Sequence, residues 1–136
     1  MPLVSRKGIL AIAAVIDVAI NARKRPVSAK ALAARHKLPP RHLEPVLQAL
    51  VRDGILRGVR GPHGGYEFAR EQRRVSVEDI LRAAGTAEDD AGPPLPNSAL
   101  VNDVVKPALA EAERIFAAAL GRISVEDMAR RAEPAN

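Results

Sequence analysis

The segment from Arg41 to Tyr66 constrains the fold of this chain more than any other. Leu43, Val46, Leu47, Leu50 and Val51 recur at intervals of three and four, which lays one apolar stripe along a helix of about 41–53. Arg41, Glu44, Gln48 and Arg52 fall on the opposite side, together with Pro45. Pro45 deletes one backbone hydrogen bond, so an irregular first turn is expected. Gly54 is placed to stop the helix. Two short strand-like runs follow, 55–59 and 66–70, on either side of Arg60-Gly61-Pro62-His63-Gly64-Gly65. A β-hairpin with a glycine-rich, basic tip fits this arrangement.

The residues just upstream complete a larger unit. Ser28 is a suitable N-cap for a helix over 29–36, with Val27 and Leu32 in the positions of a hydrophobic staple. Leu38-Pro39-Pro40 ends that helix and forms the turn. Residues 28–53 therefore read as a capped helix, a tight turn and an amphipathic helix, that is, a helix-turn-helix. The hairpin that follows stands where the wing of a winged helix would.

The flanking segments are also helical in pattern. Residues 8–20 form an apolar run, preceded by Ser5 as a cap and by Arg6 and Lys7. Asp17 interrupts the run, and Arg23-Lys24-Arg25 follow where a signal peptide would have a small-residue cleavage site. The run is also shorter than the ~20 apolar residues of a membrane span. It is expected to be a buried helix of a cytoplasmic protein with no membrane partner. Ser76 caps a short helix to Ala84, with Val77, Ile80, Leu81 and Ala84 facing inward and Gly85 at its end. The Pro/Gly-rich stretch 86–97, with Glu88, Asp89 and Asp90, reads as a loop.

From Ser98 to Leu120 the pattern is helical again. Val101, Val105, Ala108, Ala112, Ile115 and Ala119 are spaced 4, 3, 4, 3, 4, an a/d seam suited to a second copy of the chain. Pro107 is expected to kink this helix or loosen its first turns. A last helix starts at Ser124, where Ile123-Ser-Val-Glu-Asp-Met128 echoes Val75-Ser-Val-Glu-Asp-Ile80. Shared N-cap chemistry accounts for the echo, and the tail from Glu133 is expected to fray. The fold expected is mainly α with a small β-hairpin wing. A winged helix-turn-helix domain covers 1–85, a loop 86–97, and a dimerisation helix with a short final helix 98–136.

Charge indicates the partner. Residues 1–74 hold 15 Lys/Arg against 5 Asp/Glu, and residues 75–136 hold 6 against 11, so the two parts carry net charges of +10 and −5. A basic module of this size points to a polyanion, and the major groove of double-stranded DNA admits one α-helix. The chain has no cysteine, so disulfides and thiolate metal sites are excluded. His36, His42 and His63 lack metal-ligand spacing and are expected at the surface or facing DNA. No nucleophile–base pair or phosphate loop appears: 61–65 lacks the Lys-Ser/Thr ending and precedes a strand. Neither an enzyme nor a bound cofactor is expected. A protein-interaction adaptor, in which the winged helix binds another protein, is the competing reading.

The words of the sequence narrow this further. Leu43-Glu44, the helix exit Asp53-Gly54-Ile55-Leu56 and the wing Arg60-Gly61-Pro62-His63-Gly64-Gly65-Tyr66 resemble the Rrf2 family of bacterial transcription regulators. The resemblance covers about residues 1–122. It implies a homodimer joined through the helix at about 98–120. It also implies partly palindromic operators, a recognition helix in each major groove and each wing in an adjacent minor groove. Glu44 matches a glutamate that can read cytosine, and Arg60 matches the wing arginine. Arg41 and Pro45 stand where many members have Ser and Gln. The three cysteines that hold an iron–sulfur cluster in many members are absent, so that role does not carry over. An effector, small molecule or protein, is left open. The side chains expected at DNA are Ser28, Lys30, Pro40, Arg41, His42, Glu44, Gln48, Arg52, Arg60, Gly61, His63 and Gly64.

Overall fold

The computed structural model describes residues 5–85 and 97–132. The elements run α1 (Arg6–Asn21), α2 (Ala29–Arg35), α3 (Pro40–Arg52), β1 (Leu56–Val59), β2 (Gly65–Phe68) and a short 3₁₀ turn (Gln72–Arg74). After these come α4 (Val77–Ala84), a π-helical stretch (Leu100–Val105), α5 (Lys106–Gly121) and α6 (Val125–Ala132). The architecture is mainly helical with one two-stranded antiparallel hairpin, as expected. The acidic run 88–90 and the tail from 133 lie outside the described residues.

Local chemistry explains most element ends. The Ser5 hydroxyl accepts from the Gly8 N–H at 3.0 Å and the Ser28 hydroxyl from the Ala31 N–H at 3.1 Å, each tying off an otherwise unpaired donor. At the end of α3 the Ile55 N–H donates to the Leu50 carbonyl and the Gly54 N–H to the Val51 carbonyl, both at 3.0 Å. This Schellman pattern requires the left-handed φ of +76° at Gly54, and it brings Ile55 against the core beside Leu50. The end of α2 repeats the pattern with a less suitable residue. Leu38 donates to the Ala33 carbonyl and Lys37 to that of Ala34, while Lys37 itself adopts φ +55°. The turn thus begins at Lys37, ahead of the Leu38-Pro39-Pro40 stretch that the sequence suggests.

The core sits where α1 crosses α3, α4 and α6. Leu43, Val46, Leu47 and Leu50 of α3 are buried, as the periodicity requires. Val51 is not: it is 37% exposed, and Ala49 is buried in its place. Lys7 of α1 and Ala83 and Ala84 of α4 lie on the Ala49 side of α3, so the buried sector is rotated toward the small residue.

The repeated hexapeptides pair with each other. Val77 N–H donates to the Ile123 carbonyl and Val125 N–H to the Val75 carbonyl, both at 2.9 Å, forming an antiparallel bridge at Ser76 and Ser124. Each serine then caps its own helix: Ser76 accepts from the Asp79 N–H and Ser124 from the Asp127 N–H. Through this bridge α6 packs back on α1, and Val125 and Ala129 complete the N-terminal core.

Before α5 the helix widens. The Lys106 N–H reaches five residues back to the Val101 carbonyl. Pro107, which has no N–H to offer the turn below, sits in the first turn of α5 directly above this stretch. The loosening expected from Pro107 is thus a π-helical segment.

Candidate nucleic-acid interface

The polar stripe of α3 is displayed without competition. Arg41, His42, Glu44, Gln48 and Arg52 are all exposed, and none of their side chains has a hydrogen-bond or ion-pair partner among the described residues. Pro40, also exposed, is the first residue of the helix, where its missing N–H costs nothing. Pro45 lies on the exposed side and leaves α3 continuous from Pro40 to Arg52. Lys30 is exposed on α2, while Ser28 is half-buried with its hydroxyl engaged as the cap.

The hairpin holds its tip, Pro62 to Gly64, against the linker and α2. Leu56 pairs with Phe68, Arg57 with Glu67, Gly58 with Tyr66 and Val59 with Gly65. Arg57 and Glu67 face each other and form an ion pair, Nε to Oε2 at 2.7 Å. Arg70 turns back to cap α3, donating to the Asp53 carbonyl at 2.8 Å and the Gly54 carbonyl at 3.0 Å. These two arginines are spent on structure, whereas Arg60, Gly61 and His63 at the tip are exposed. Gly61 takes a φ of +113°, a backbone conformation that suits glycine.

The Gly64-Gly65 pair has a structural reason of its own. A Cβ on Gly64 would stand 2.2 Å from the Val59 carbonyl oxygen. One on Gly65 would stand 2.4 Å from the Val27 carbonyl oxygen. Val27 and Tyr66 exchange two backbone hydrogen bonds, at 2.9 and 2.8 Å, so the linker before α2 acts as a third short strand beside the hairpin. The wing is therefore fixed to the helix-turn-helix.

A second device ties α1 to α2. Asp17 is buried, and its carboxylate accepts from Arg35 (Nε to Oδ2 2.9 Å, Nη2 to Oδ1 2.6 Å) and from Asn21 Nδ2 at 3.0 Å. His36 Nε2 lies 2.9 Å from Asp17 Oδ2. Burial alone would push the Asp17 carboxyl up. The hydrogen bonds from Arg35 and Asn21, the Arg35 charge and the His36 contact outweigh it and hold the group below the ordinary carboxylate range. The same bond to Asp17 raises Arg35 above its usual value, against a smaller opposing effect of burial. His36 is thus not a free surface or DNA-facing side chain but half-buried on Asp17. The lone acid inside an apolar helix was the visible signal for such a partner, but its identity was not readable from sequence.

The long C-terminal helix presents an apolar flank. Val105, Ala108, Ala112, Ile115 and Ala119 are exposed and Val101 is half-buried. Leu100, Val104 and Leu109 extend the patch, with Leu100 64% and Ile115 68% exposed. Phe116, Ala117 and Leu120 are half-buried on the end of α5 that meets α4.

Comparison with known proteins places this arrangement. Residues 4–131 match the family model described as "Rrf2: Iron-dependent Transcriptional regulator". The HTH-type transcriptional regulator IscR of Xenorhabdus nematophila is 31% identical over 83 residues, 61% of this chain and 51% of that protein. The chain spans about half the length of the curated relatives it matches. Among solved structures, T. potens IscR is 32% identical with a TM-score of 0.75, covering 96% of this chain and 88% of that one. CymR, the global cysteine regulator of B. subtilis, shares the fold at 22% identity with a TM-score of 0.74, covering 98% of this chain and 100% of that one.

The iron dependence in the family description meets an unsuitable donor set here. The sequence has no cysteine to supply thiolates to an iron–sulfur cluster. Among the described residues no three His, Asp or Glu side chains gather closely enough to hold a metal ion. The residues present do not fit such a cluster. Likewise, among the described residues no helix is long and apolar enough to cross a membrane.

Proposed function

Since this chain belongs to the Rrf2 family of transcriptional regulators, we propose that it is a sequence-specific DNA-binding repressor acting as a homodimer. The observation that carries this is the unpaired polar stripe of α3, Arg41, Glu44, Gln48 and Arg52, in a helix-turn-helix to whose linker a basic hairpin is bonded through Val27 and Tyr66. In this reading α3 enters the major groove. Arg41 donates to guanine O6 and N7, Glu44 accepts from the cytosine amino group, and Gln48 is positioned for adenine. Arg60, at the tip of the wing, enters the adjacent minor groove, where a narrow A·T tract concentrates negative potential.

Two copies act together. The exposed flank of the π-helical stretch and α5, from Leu100 through Val104, Val105 and Leu109 to Ile115, buries itself against its counterpart. A two-fold dimer then presents two α3 helices to half-sites about one helical turn, or a multiple of it, apart. Bound across a promoter, such a dimer blocks access to it. A protein or small-molecule effector would act by changing the geometry between the two copies.

The test is selection of binding sites from genomic fragments by the purified protein, followed by footprinting. A partly palindromic site bound far more tightly than random DNA is expected. No site tighter than random DNA would remove the reading. Binding should also weaken steeply with salt. Salt-insensitive capture of another protein, with no DNA binding, would favour an adaptor instead.

A further inference from the structure

Between α2 and the wing lies a cleft of about 380 Å³ lined by Asn21, Arg25, Ser28 and Arg35 on one side and by Pro62, His63 and Gly64 on the other. We infer that this cleft seats one phosphodiester of the DNA strand that separates the major groove under α3 from the minor groove under the wing. The inference rests on the DNA-binding reading and adds to it a grip centred on the linker and α2, outside the recognition helix.

The lining supports an anion. Two arginines line the cleft, from the linker and from α2, and among the described residues no carboxylate lines it. Arg35 lines the cleft and is oriented by Asp17, which takes its Nε and Nη2 and leaves Nη1 without a partner among the described residues. The pair with Asp17 cancels much of the Arg35 charge, so Arg35 contributes a fixed donor and Arg25 supplies the net attraction. Arg25 is exposed and has no partner among the described residues. The Ser28 hydroxyl accepts from Ala31 and still has its own hydrogen to donate. The first helix of a helix-turn-helix crosses the DNA backbone, which puts α2 over a phosphate row when α3 is in the groove.

The walls are set before DNA arrives. The two backbone hydrogen bonds between Val27 and Tyr66 and the close seat of Gly65 on Val27 hold the linker and the wing together. A phosphate therefore meets a preformed opening, with little ordering left to offset.

The test uses the full chain and a labelled random-sequence duplex, with affinity measured by anisotropy from 50 to 300 mM salt. Arg25→Ala and Arg25→Ala/His63→Ala are compared with the native chain and with Arg74→Ala, an exposed arginine that does not line the cleft. Thermal melting checks that each variant is folded. Loss of one phosphate contact lowers the slope of log affinity against log salt by about one, equally on any sequence. That drop in the Arg25 variants, absent in Arg74→Ala, supports the seat. A native chain that binds duplex with the slope unchanged by Arg25→Ala, or changed as much by Arg74→Ala, overturns it and leaves the DNA-binding reading standing. A native chain that binds no duplex overturns both.

Discussion

Gly65 lies so close to Val27 that a Cβ on the glycine would stand 2.4 Å from the Val27 carbonyl oxygen and 2.7 Å from the Ser28 nitrogen. Both atoms are backbone and have no side-chain freedom with which to yield. Gly65→Ala must push the wing off the linker, at about 1–3 kcal/mol of stability. It should also weaken DNA binding beyond what the lost stability explains, because the wing tip loses its alignment with α3. Gly54→Ala is the informative comparison. Nothing lies within 4 Å of a Cβ there, so only the φ of +76° resists, at about 1 kcal/mol. Denaturant melts and duplex titrations of both variants separate the two effects.

Asp17→Asn keeps the shape of the side chain and removes its charge. Arg35 then loses a fully made ion pair, although its own side chain is 42% exposed and water screens part of the loss. A cost of about 1–2 kcal/mol at neutral pH is expected. The pH dependence has a definite sign. The folded Asp17 carboxyl is held below its unfolded value, so its contribution is complete above the ordinary carboxylate pKa and fades as pH falls through the lowered folded value. The stability gap between native and Asp17→Asn should therefore be flat from pH 8 to pH 5 and shrink only in strong acid. A gap that vanished near pH 6 would contradict this assignment.

Lys37 closes α2 in a left-handed conformation with φ +55°, which costs a residue with a Cβ roughly 1–2 kcal/mol. Glycine adopts it freely but gains entropy in the unfolded chain. Lys37→Gly should raise stability by about 0.5–1 kcal/mol, read as a higher denaturation midpoint at unchanged slope.

Base preference should follow α3. Substituting Glu44 by Ala should relax the requirement for cytosine at one position of each half-site, and Arg41→Ala that for guanine, each by about 1–3 kcal/mol of discrimination. Competition binding against single-base variants of the selected site measures this. Loss of affinity without change in preference would mean that these side chains contact phosphates.

The apolar flank of α5 makes a prediction about assembly. Ile115 is 68% exposed in the single chain, so Ile115→Glu should leave its melting nearly unchanged at low concentration. Against a second copy the same substitution buries an unpaired charge, and sedimentation should find the variant monomeric. A variant that stays dimeric would move the interface elsewhere.

Much of this molecule was legible in local patterns. The caps at Ser5, Ser28 and Ser76, the stop at Gly54 and the hairpin around 60–65 each depend on residues within one or two turns of one another. The exposed stripe of α3 followed from helical period alone. Val51 shows the limit of that reasoning: period defines a stripe to within a residue's width, and the neighbours that cover it decide its edge. Ala49 lies toward α1 and α4 and is buried, whereas Val51 is left outside.

By itself the sequence determined a basic, winged helix-turn-helix followed by a long apolar-flanked helix, because hydrogen-bond caps, turn residues and side-chain period act over short separations. Only the tertiary structure decided who meets whom at long range. Asp17 found Arg35 across 18 residues. Val27 became a strand against Tyr66, and the two Ser-Val-Glu-Asp segments paired at Ser76 and Ser124. The Gly64-Gly65 pair, which in sequence is only part of a glycine-rich tip, makes space for the chain's own carbonyls. Such contacts depend on where helices cross once the core has closed, and no local pattern carries that information.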